Sequence, residues 1–183
     1  MEKGINENIE LPDIDFGECG VIKGKLDAAG LNFGIVVSRF NMDLTGQLLK
    51  SAVDCLKKYK AEPKRIEIVW VPGAYEVPLA IEQMAAFGDF DALIALGCVI
   101  QGETPHADLI NTAVANALLD IGRQNEIAVI NEVVGTYNLE QAEARCKCGE
   151  QSRGWYAGAA AIEMARALSL IGTEVAGRKG DVF

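Results

Sequence analysis

The 183 residues are 50% hydrophobic and 23% charged, a composition that suits one compact domain rather than two separate cores. The net charge of −9 at pH 7 repels polyanions on average, so nucleic acid is excluded as a partner and a small anionic substrate would need locally focused positive charge. No apolar run reaches the roughly 18 residues needed to cross a bilayer, so no membrane partner is expected. The five scattered cysteines do not form the pattern of a disulfide framework, which predicts a cytoplasmic protein.

The two ends of the chain differ in composition from its middle. Residues 1–20 mix acidic residues, asparagine and glycine with isolated apolar side chains, too little hydrophobic surface to offset the entropy lost on ordering. We therefore expect a flexible acidic N-terminal arm over residues 1–20, one α/β domain over 21–172 and a short tail over 173–183.

Four short apolar runs rich in β-branched residues follow along the chain, with enough residues between them for a helix. Such runs are typical of buried strands in a parallel sheet. They cover residues 33–37, 66–71, 92–100 and 127–134.

Apolar residues at helical spacing lie between these runs and after the last one, so each of these segments can cover a face of the sheet. The helices are expected at residues 44–56, 79–86, 109–118, 139–146 and 155–170. Right-handed crossovers place helices on both faces of a parallel sheet. The alternation therefore predicts a three-layer α/β/α sandwich with a four-stranded parallel sheet, in a flavodoxin-like arrangement.

Polar and aromatic residues are concentrated directly after the first three predicted strands, at residues 38–41, 72–76 and 97–106. In open parallel sheets, ligands bind beyond the carboxyl ends of the strands, where loops and helix N-termini converge. We therefore expect the functional site at this edge of the sheet.

Residues 102–106, Gly-Glu-Thr-Pro-His, contain the only histidine of the chain. Gly102 and Pro105 break the chain before the predicted helix, and the backbone N–H groups of a helix start favour an anion. The segment lacks the lysine and the spacing of a P-loop, so a small phosphate ester fits better than a nucleoside triphosphate. A lone histidine is more often a surface or core residue with a satisfied hydrogen bond. The position of His106 beside a helix start nevertheless favours a role in proton transfer.

Two further loop residues have both a functional and a structural interpretation. Glu76 follows a Pro-Gly pair at the tip of a constrained loop, where it either contacts a ligand or caps the next helix. Phe40 either fills the edge of the sheet or, from its polar loop, stacks on a flat heteroaromatic ring.

The segment after the fourth predicted strand is basic in a chain that is acidic overall. Arg145, Lys147 and Arg153 either bind an anion or simply stabilise a helix end, since cations suit helix C-termini. Cys146 and Cys148 do not predict a metal centre, because a zinc site needs about four ligands and the chain has one histidine.

Together these segments closely resemble the lumazine synthase family of riboflavin biosynthesis, over residues 22–170. The resemblance rests on the order and spacing of several motifs rather than on any one of them. The matching pieces are GKL at 24–26, FGIVVSRFN at 33–41, PGAYEVP at 72–78, GETPH at 102–106 and NLEQA at 138–142.

The resemblance implies a condensation of 5-amino-6-ribitylaminouracil with 3,4-dihydroxy-2-butanone 4-phosphate, which gives 6,7-dimethyl-8-ribityllumazine, phosphate and water. It implies neither a metal nor an organic cofactor. The residues that match the family's pyrimidine and ribityl site are the stacking aromatic Phe40, the loop residues Ala74, Tyr75 and Glu76, and the strand-end residues Cys98, Val99 and Ile100.

The phosphate-binding and proton-transfer residues of the family also have matches. Glu103 and Thr104 match the turn that receives the butanone phosphate, and Arg145 matches the arginine that pairs with this phosphate, a task suited to the guanidinium fork. Arg153 stands where the family usually has lysine and is assigned to the phosphate as well. His106 matches the proton-transfer histidine.

Asn131 replaces the second stacking aromatic that the family usually has on the fourth strand, and Glu132 follows it. Replacing a ring with an amide removes about 0.5–1.5 kcal/mol of aromatic contact, although an amide can hydrogen-bond to the edge of a pyrimidine. Asn131 is therefore kept among the substrate-binding candidates. The change leaves open a non-catalytic paralogue that binds flavin or lumazine.

The resemblance also implies an assembly. Members of the family form pentamers, some of which close into icosahedral shells of sixty subunits, with each active site shared between neighbours. Asn131 and Arg145 would then reach the site from the subunit next to the one that holds His106. A mainly structural shell protein stays open, and riboflavin synthase is a candidate partner.

Overall fold

A central sheet of four parallel strands organises the computed structural model, which describes residue 15 and residues 17–175. The strands are β1 (Phe33–Ser38), β2 (Ile66–Val71), β3 (Ala92–Ile100) and β4 (Ala128–Thr136). They are ordered β2-β1-β3-β4, and every neighbouring pair is parallel. The predicted four-stranded parallel sheet is therefore confirmed.

Within the described residues, five α-helices cover the two faces of this sheet. They are α1 (Met42–Lys58), α2 (Val77–Phe87), α3 (His106–Gln124), α4 (Leu139–Cys146) and α5 (Arg153–Leu170), which continues into a π-helical turn, Ile171–Val175. Phe33, Ile35 and Val37 of β1 pack in a buried cluster with α1, α4 and α5, whereas Val36 packs with α2 and α3. This period-two alternation is that of a strand buried on both faces. The result is the predicted three-layer α/β/α sandwich of a flavodoxin-like fold.

The bounds predicted from the sequence are close to the observed ones, with one difference in burial. β2 and β3 have the predicted bounds, while β4 begins one residue later and extends two residues further. Full burial of β2 was predicted wrongly, because Ile68, Val69 and Trp70 are 43%, 36% and 42% exposed. Among the described strands, β2 pairs with β1 alone. It is therefore an edge strand, which is covered on fewer sides than the central strands β1 and β3.

Helices α1 and α5 approach each other closely because α5 presents glycines to α1. A Cβ atom added at Gly154 would lie 2.1 Å from the carbonyl oxygen of Leu48, and one added at Gly158 would lie 2.8 Å from the Cβ of Cys55. Neither position has room for a side chain, so the start of α5 is fixed against α1. This packing places Arg153, the first residue of α5, next to β4.

The predicted N-terminal arm, 1–20, and the predicted tail, 173–183, fall mostly outside the described residues, and their boundaries stay predictions. Ala28, ahead of β1, is fully buried, and its N–H donates a hydrogen bond to the carbonyl oxygen of Tyr59 at 2.7 Å. None of the helices in the described part of the chain has the length and apolar character needed to cross a membrane.

Candidate active site

A cavity of about 430 Å³ opens at the carboxyl end of β3, beside the loop that follows β1. These two strands are adjacent in the sheet although β2 lies between them in the sequence, so the strand order reverses here. Ligands bind at this switch point in doubly wound sheets. Nine of the predicted site residues line the cavity: Phe40, Ala74, Tyr75, Glu76, Cys98, Val99, Ile100, Thr104 and His106. Four further lining residues were not predicted from the sequence: Gly73, Gly102, Ala107 and Ile110.

The loop after β1 holds Phe40 at the cavity. Asn41 adopts a left-handed conformation, with φ of 59°, and its Nδ2 donates a hydrogen bond to the carbonyl oxygen of Cys98 at 3.0 Å. The N–H of Phe40 donates to the carbonyl oxygen of Pro72 at 3.1 Å, so the loop is tied to the ends of both neighbouring strands. Phe40 is 69% exposed. It therefore does not fill the edge of the sheet, and its ring is accessible to a flat ligand.

The loop after β2 folds as a 3-10 turn, Ala74–Glu76, that leads directly into α2. Ala74 is buried in a small cluster with Val99 and Ala107 at the base of the cavity. The carboxylate of Glu76 lies over Gly73, where an added Cβ atom would come within 2.9 Å of its Oε2. Within the described chain this carboxylate makes no capping hydrogen bond to α2. The capping interpretation of Glu76 is therefore wrong, and the side chain lines the cavity instead.

Gln101 holds the turn between β3 and α3. Its backbone N–H donates to the carbonyl oxygen of Thr136 at 2.8 Å, and its side-chain amide donates to the carbonyl oxygens of Gly102 and Thr104 at 3.1 and 2.8 Å. These bonds fix the segment that precedes His106. Gln101 could not be identified from the sequence, because a glutamine between a strand and a glycine does not by itself indicate such bonds.

His106 is the first residue of α3, and it is exposed beside Thr104 on the lining of the cavity. The backbone N–H groups of a first helical turn have no intrahelical partners, and they form a site that favours anions. Glu103 belongs to the same turn and is exposed, but it lies beside the cavity rather than on its lining. The turn can thus receive a phosphate group next to an imidazole.

Three of the predicted site residues lie away from this cavity within the same chain. Asn131 is exposed on β4, where it lines a second cavity of about 330 Å³, and its Oδ1 accepts a hydrogen bond from the N–H of Val133 at 3.0 Å. Arg145 lies in the last turn of α4, and Arg153 begins α5. A single chain does not bring these residues into the cavity that His106 lines.

Glu132, a buried carboxylate, forms an ion pair with the partly exposed Arg153. The glutamate is only 4% exposed; its Oε2 accepts a hydrogen bond from Nε of Arg153 at 2.9 Å, and its Oε1 accepts one from Nη2 at 2.5 Å. Burial raises the pKa of the Glu132 carboxyl above its ordinary value, and the hydrogen bonds and charge of Arg153 act against this rise. The guanidinium also lies 4.5 Å from the ring centre of Tyr156. In the sequence, Glu132 stood out only as the neighbour of Asn131, because a glutamate in a strand does not reveal its partner.

The two cysteines after β4 lie in different environments. Cys146 is fully buried in the same apolar cluster as Cys98, whereas Cys148 is exposed. Interaction with the Cys98 thiol, together with burial, raises the pKa of the Cys146 thiol. Among the residues that the structure describes, no group of three or more histidine, cysteine or acidic side chains could hold a metal ion.

Comparisons with known proteins agree on one family. A sequence profile for 6,7-dimethyl-8-ribityllumazine synthase matches residues 30–169. Two curated relatives, both 6,7-dimethyl-8-ribityllumazine synthases of Clostridium kluyveri, are each 45% identical to the chain over 145 residues. The aligned region covers 79% of this chain and 94% of each relative.

The fold and the cavity define an α/β protein of the doubly wound class, with its ligand site at the switch point of a parallel sheet. The matched range runs through β1, all three loops of the cavity and most of α5. The chain belongs to the 6,7-dimethyl-8-ribityllumazine synthase family, which confirms the resemblance seen in its motifs. It is therefore a transferase of riboflavin biosynthesis.

Proposed function

We propose that this chain condenses 5-amino-6-ribitylaminouracil with 3,4-dihydroxy-2-butanone 4-phosphate, forming 6,7-dimethyl-8-ribityllumazine with release of phosphate and water, and that it does so in the cavity at the switch point. The assignment of the site rests on the residues that line this cavity. The cavity gathers an exposed aromatic ring, a carboxylate, a helix N-terminus and the histidine from segments far apart in the sequence. The proposed reaction uses no metal and no organic cofactor.

The pyrimidine and its ribityl chain occupy the side of the cavity formed by the first two loops. Phe40 stacks on the pyrimidine ring, and its fixed backbone lowers the entropy lost when the two rings meet. Residues 98–100, at the end of β3, meet the edge of the pyrimidine. Ala74 and Tyr75 form the wall beside it, and the Glu76 carboxylate accepts hydrogen bonds from ribityl hydroxyl groups.

The butanone phosphate occupies the turn before α3. Glu103 and Thr104 form this turn, and the N–H groups of the first helical turn donate to the phosphate oxygens. Arg145 and Arg153 supply the cationic partners, which a chain of net charge −9 must concentrate locally to hold an anion. These two arginines reach the phosphate from a neighbouring subunit.

His106 transfers protons during the reaction. Formation of the Schiff base, elimination of phosphate and ring closure each move protons at neutral pH, and an imidazole can both accept and donate them. Holding the two substrates face to face supplies much of the acceleration, since effective molarity is worth roughly 7–11 kcal/mol when the geometry is right. Loss of the imidazole therefore slows turnover rather than abolishing it.

A second copy of the chain completes the site, in a pentamer that can close further into an icosahedral shell of sixty subunits. Asn131 contributes to the pyrimidine site across this interface. Two observations support it. Residues assigned to the site lie outside the cavity of their own chain, and two buried polar atoms beside Asn131, Oδ1 of Asn111 and Oγ1 of Thr136, have no hydrogen-bond partner in the described part of the chain. We place the assembly in the cytoplasm, with riboflavin synthase as a candidate partner.

The direct test incubates the purified protein with both substrates and follows the absorbance of the lumazine together with inorganic phosphate. We expect the two products in equal molar amounts. Absence of both at high protein concentration, combined with tight binding of lumazine or flavin, would contradict the enzymatic proposal and support a binding paralogue. Light scattering on the same sample tests the assembly, because a fully active monomer contradicts a site shared between copies.

A further inference from the structure

We infer that Glu132 is a positioning residue for the phosphate site. Its carboxylate holds the guanidinium of Arg153 in one orientation, so that the butanone phosphate meets a cation already in place. The inference rests on the proposed function, and it assigns a role to the carboxylate that follows Asn131. Glu132 acts through Arg153 and does not itself contact the substrate.

The backbone of Arg153 is held in place by the cap of α5 and by the packing of α5 against α1. Ser152 is fully buried and caps α5, with its Oγ accepting a hydrogen bond from the N–H of Gly154 at 3.1 Å. Gly154 in turn lies against the carbonyl oxygen of Leu48, where no side chain fits. The first turn of α5 therefore cannot shift relative to α1, and only the long side chain of Arg153 has rotational freedom.

That side chain is held from two directions. Glu132 accepts two parallel hydrogen bonds, from Nε and Nη2, and this paired geometry fixes the plane of the guanidinium as well as its position. The ring of Tyr156, one helical turn along the same face, lies 4.5 Å from the guanidinium carbon. Between the carboxylate and the ring, Arg153 has one preferred orientation.

Stability alone explains this ion pair poorly. The side chain of Glu132 is 4% exposed and its carboxylate is costly to desolvate, whereas the side chain of Arg153 is 38% exposed, so that solvent screens the attraction that would offset this cost. Arg153 is also the first residue of a helix, where the helix dipole disfavours a cation. Each charge is therefore unfavourable in its own position, and each is tolerated there because the other one is beside it. This arrangement favours a role in orienting Arg153 over a role in stabilising the fold.

The other proposed phosphate arginine lies on an element that packs against the same strand. Arg145 lies in the last turn of α4, which packs against β4, the strand that carries Glu132. Glu132 thus fixes one of the two cations proposed for the phosphate site. A cation that is already oriented loses less entropy when it binds a phosphate.

The experiment uses the full-length, assembled protein and five variants: Glu132→Gln, Glu132→Asp, Arg153→Ala, the double variant of Glu132→Gln with Arg153→Ala, and the control Glu143→Gln. Steady-state kinetics give kcat and the KM of each substrate, and calorimetric titration gives the Kd of inorganic phosphate. We expect Glu132→Gln to raise the KM of the butanone phosphate and the Kd of phosphate on the order of tenfold. The kcat and the KM of the pyrimidine should change by less than about twofold. Glu132→Asp should restore part of the loss.

The double variant and the control separate orientation from charge. If Glu132 acts through Arg153, removing its carboxylate should have no further effect once Arg153 is alanine. Glu143 is exposed on α4, two residues before Arg145. Its substitution removes the same charge from the same region and, by reducing repulsion of an anion, should leave the KM of the phosphate substrate unchanged or slightly lower.

Two results would overturn the inference. One is a Glu132→Gln protein that is less stable but keeps the KM and the phosphate Kd of the wild type. The other is an equal loss from Glu132→Gln with and without Arg153. If the wild type forms no lumazine, the proposed function fails, and the phosphate titrations still decide the role of Glu132: weaker phosphate binding in Glu132→Gln supports it, and equal or absent binding in both proteins contradicts it.

Discussion

Several residues shape the candidate site at the scale of single side chains without being assigned to contact a substrate. Asn41 ties the loop after β1 to Cys98, and Gln101 ties the turn that precedes His106. Such bonds hold the reacting groups in place before substrates arrive, which is the condition under which proximity accelerates a reaction.

His106 and Arg145 should affect different kinetic constants. We expect His106→Ala to lower kcat on the order of a hundredfold, because proton transfer by a positioned group contributes about that much, with a smaller effect on the KM of the butanone phosphate. Arg145→Ala should do the reverse, because it removes a phosphate contact. Steady-state kinetics with each substrate varied will separate the two roles.

The matched control for Arg145→Ala is Arg123→Ala, an exposed arginine near the end of α3 whose nearest acidic partner, Asp120, is 4.0 Å away. Its kinetic constants should equal those of the wild type. Equal changes in kcat and KM for both His106→Ala and Arg145→Ala would count against the assigned roles.

Glu132 should make the stability of the fold depend on pH. Burial raises its folded-state pKa above the ordinary value of 4.5, so the folded chain binds this proton more tightly than the unfolded chain. The stabilisation is fully present below the ordinary pKa and is lost as the pH rises through the folded-state pKa. Because glutamine does not titrate, the free energy of unfolding of the wild type should fall relative to that of Glu132→Gln as the pH rises from 4.5 to neutrality.

Urea denaturation of both proteins at several pH values, under identical protein concentration and salt, gives this difference directly. A difference that stays constant with pH, or that changes in the opposite direction, would show that Arg153 compensates fully for the burial of the carboxylate.

At the scale of elements, the contact between α1 and α5 sets the position of the basic residues after β4. Gly154 and Gly158 let the two helices approach until the backbone of α1 touches the glycine positions of α5. The glycines of α5 are visible in the sequence as a pattern of small residues at positions 154 and 158. The partner helix could not be predicted, because the pattern does not say which of several helices lies opposite.

Gly154→Ala should destabilise the protein, because the added methyl group would meet the carbonyl oxygen of Leu48, a backbone atom that cannot rotate away. Overpacking of this kind costs about 1–3 kcal/mol. The matched control is Gly46→Ala in α1, where an added Cβ atom meets no other atom within 4 Å. Alanine in a helix interior should stabilise the protein there by about 0.5–1 kcal/mol. Thermal unfolding measures both, and a higher Tm for Gly154→Ala would contradict the packing.

Most of the elements could be predicted, whereas the burial of one strand and the bonding of several side chains could not. β1, β2 and β3 were found close to their observed bounds because apolar period and β-branched content are local signals. β2 was expected to be buried on both faces, since an apolar run does not reveal whether its strand lies at the centre or at the edge. From the sequence, Glu76 could either contact a ligand or cap α2, and the structure shows its carboxylate over Gly73.

At the scale of the whole molecule, one chain presents two partial sites on different surfaces. The cavity at the switch point holds His106, while Asn131, Arg145 and Arg153 lie elsewhere. In the proposed pentamer, a head-to-tail contact that closes into a ring would bring the first surface of each copy against the second surface of the next. The proposed active site is therefore a property of the assembly rather than of the chain.

Co-assembly of two impaired variants tests this sharing of sites. When His106→Ala and Arg145→Ala subunits mix at random in equal amounts, roughly a quarter of the interfaces should combine an intact His106 with an intact Arg145 from the neighbour. Co-expressed protein should then be more active than the mean of the two separate variants. Activity equal to that mean, in assemblies proven by mass spectrometry to be mixed, would place both residues in one chain's site.

Periodicity, residue type and spacing were enough to predict the parallel α/β fold, the edge of the sheet at which the cavity opens and, through the motifs, the family. The folded chain was needed to show that Glu76 lines the cavity, that β2 is an exposed edge, and that Glu132 binds Arg153 across 21 positions of sequence. These contacts join residues whose side-chain directions are set by the packing of distant elements, and no local pattern specifies that packing.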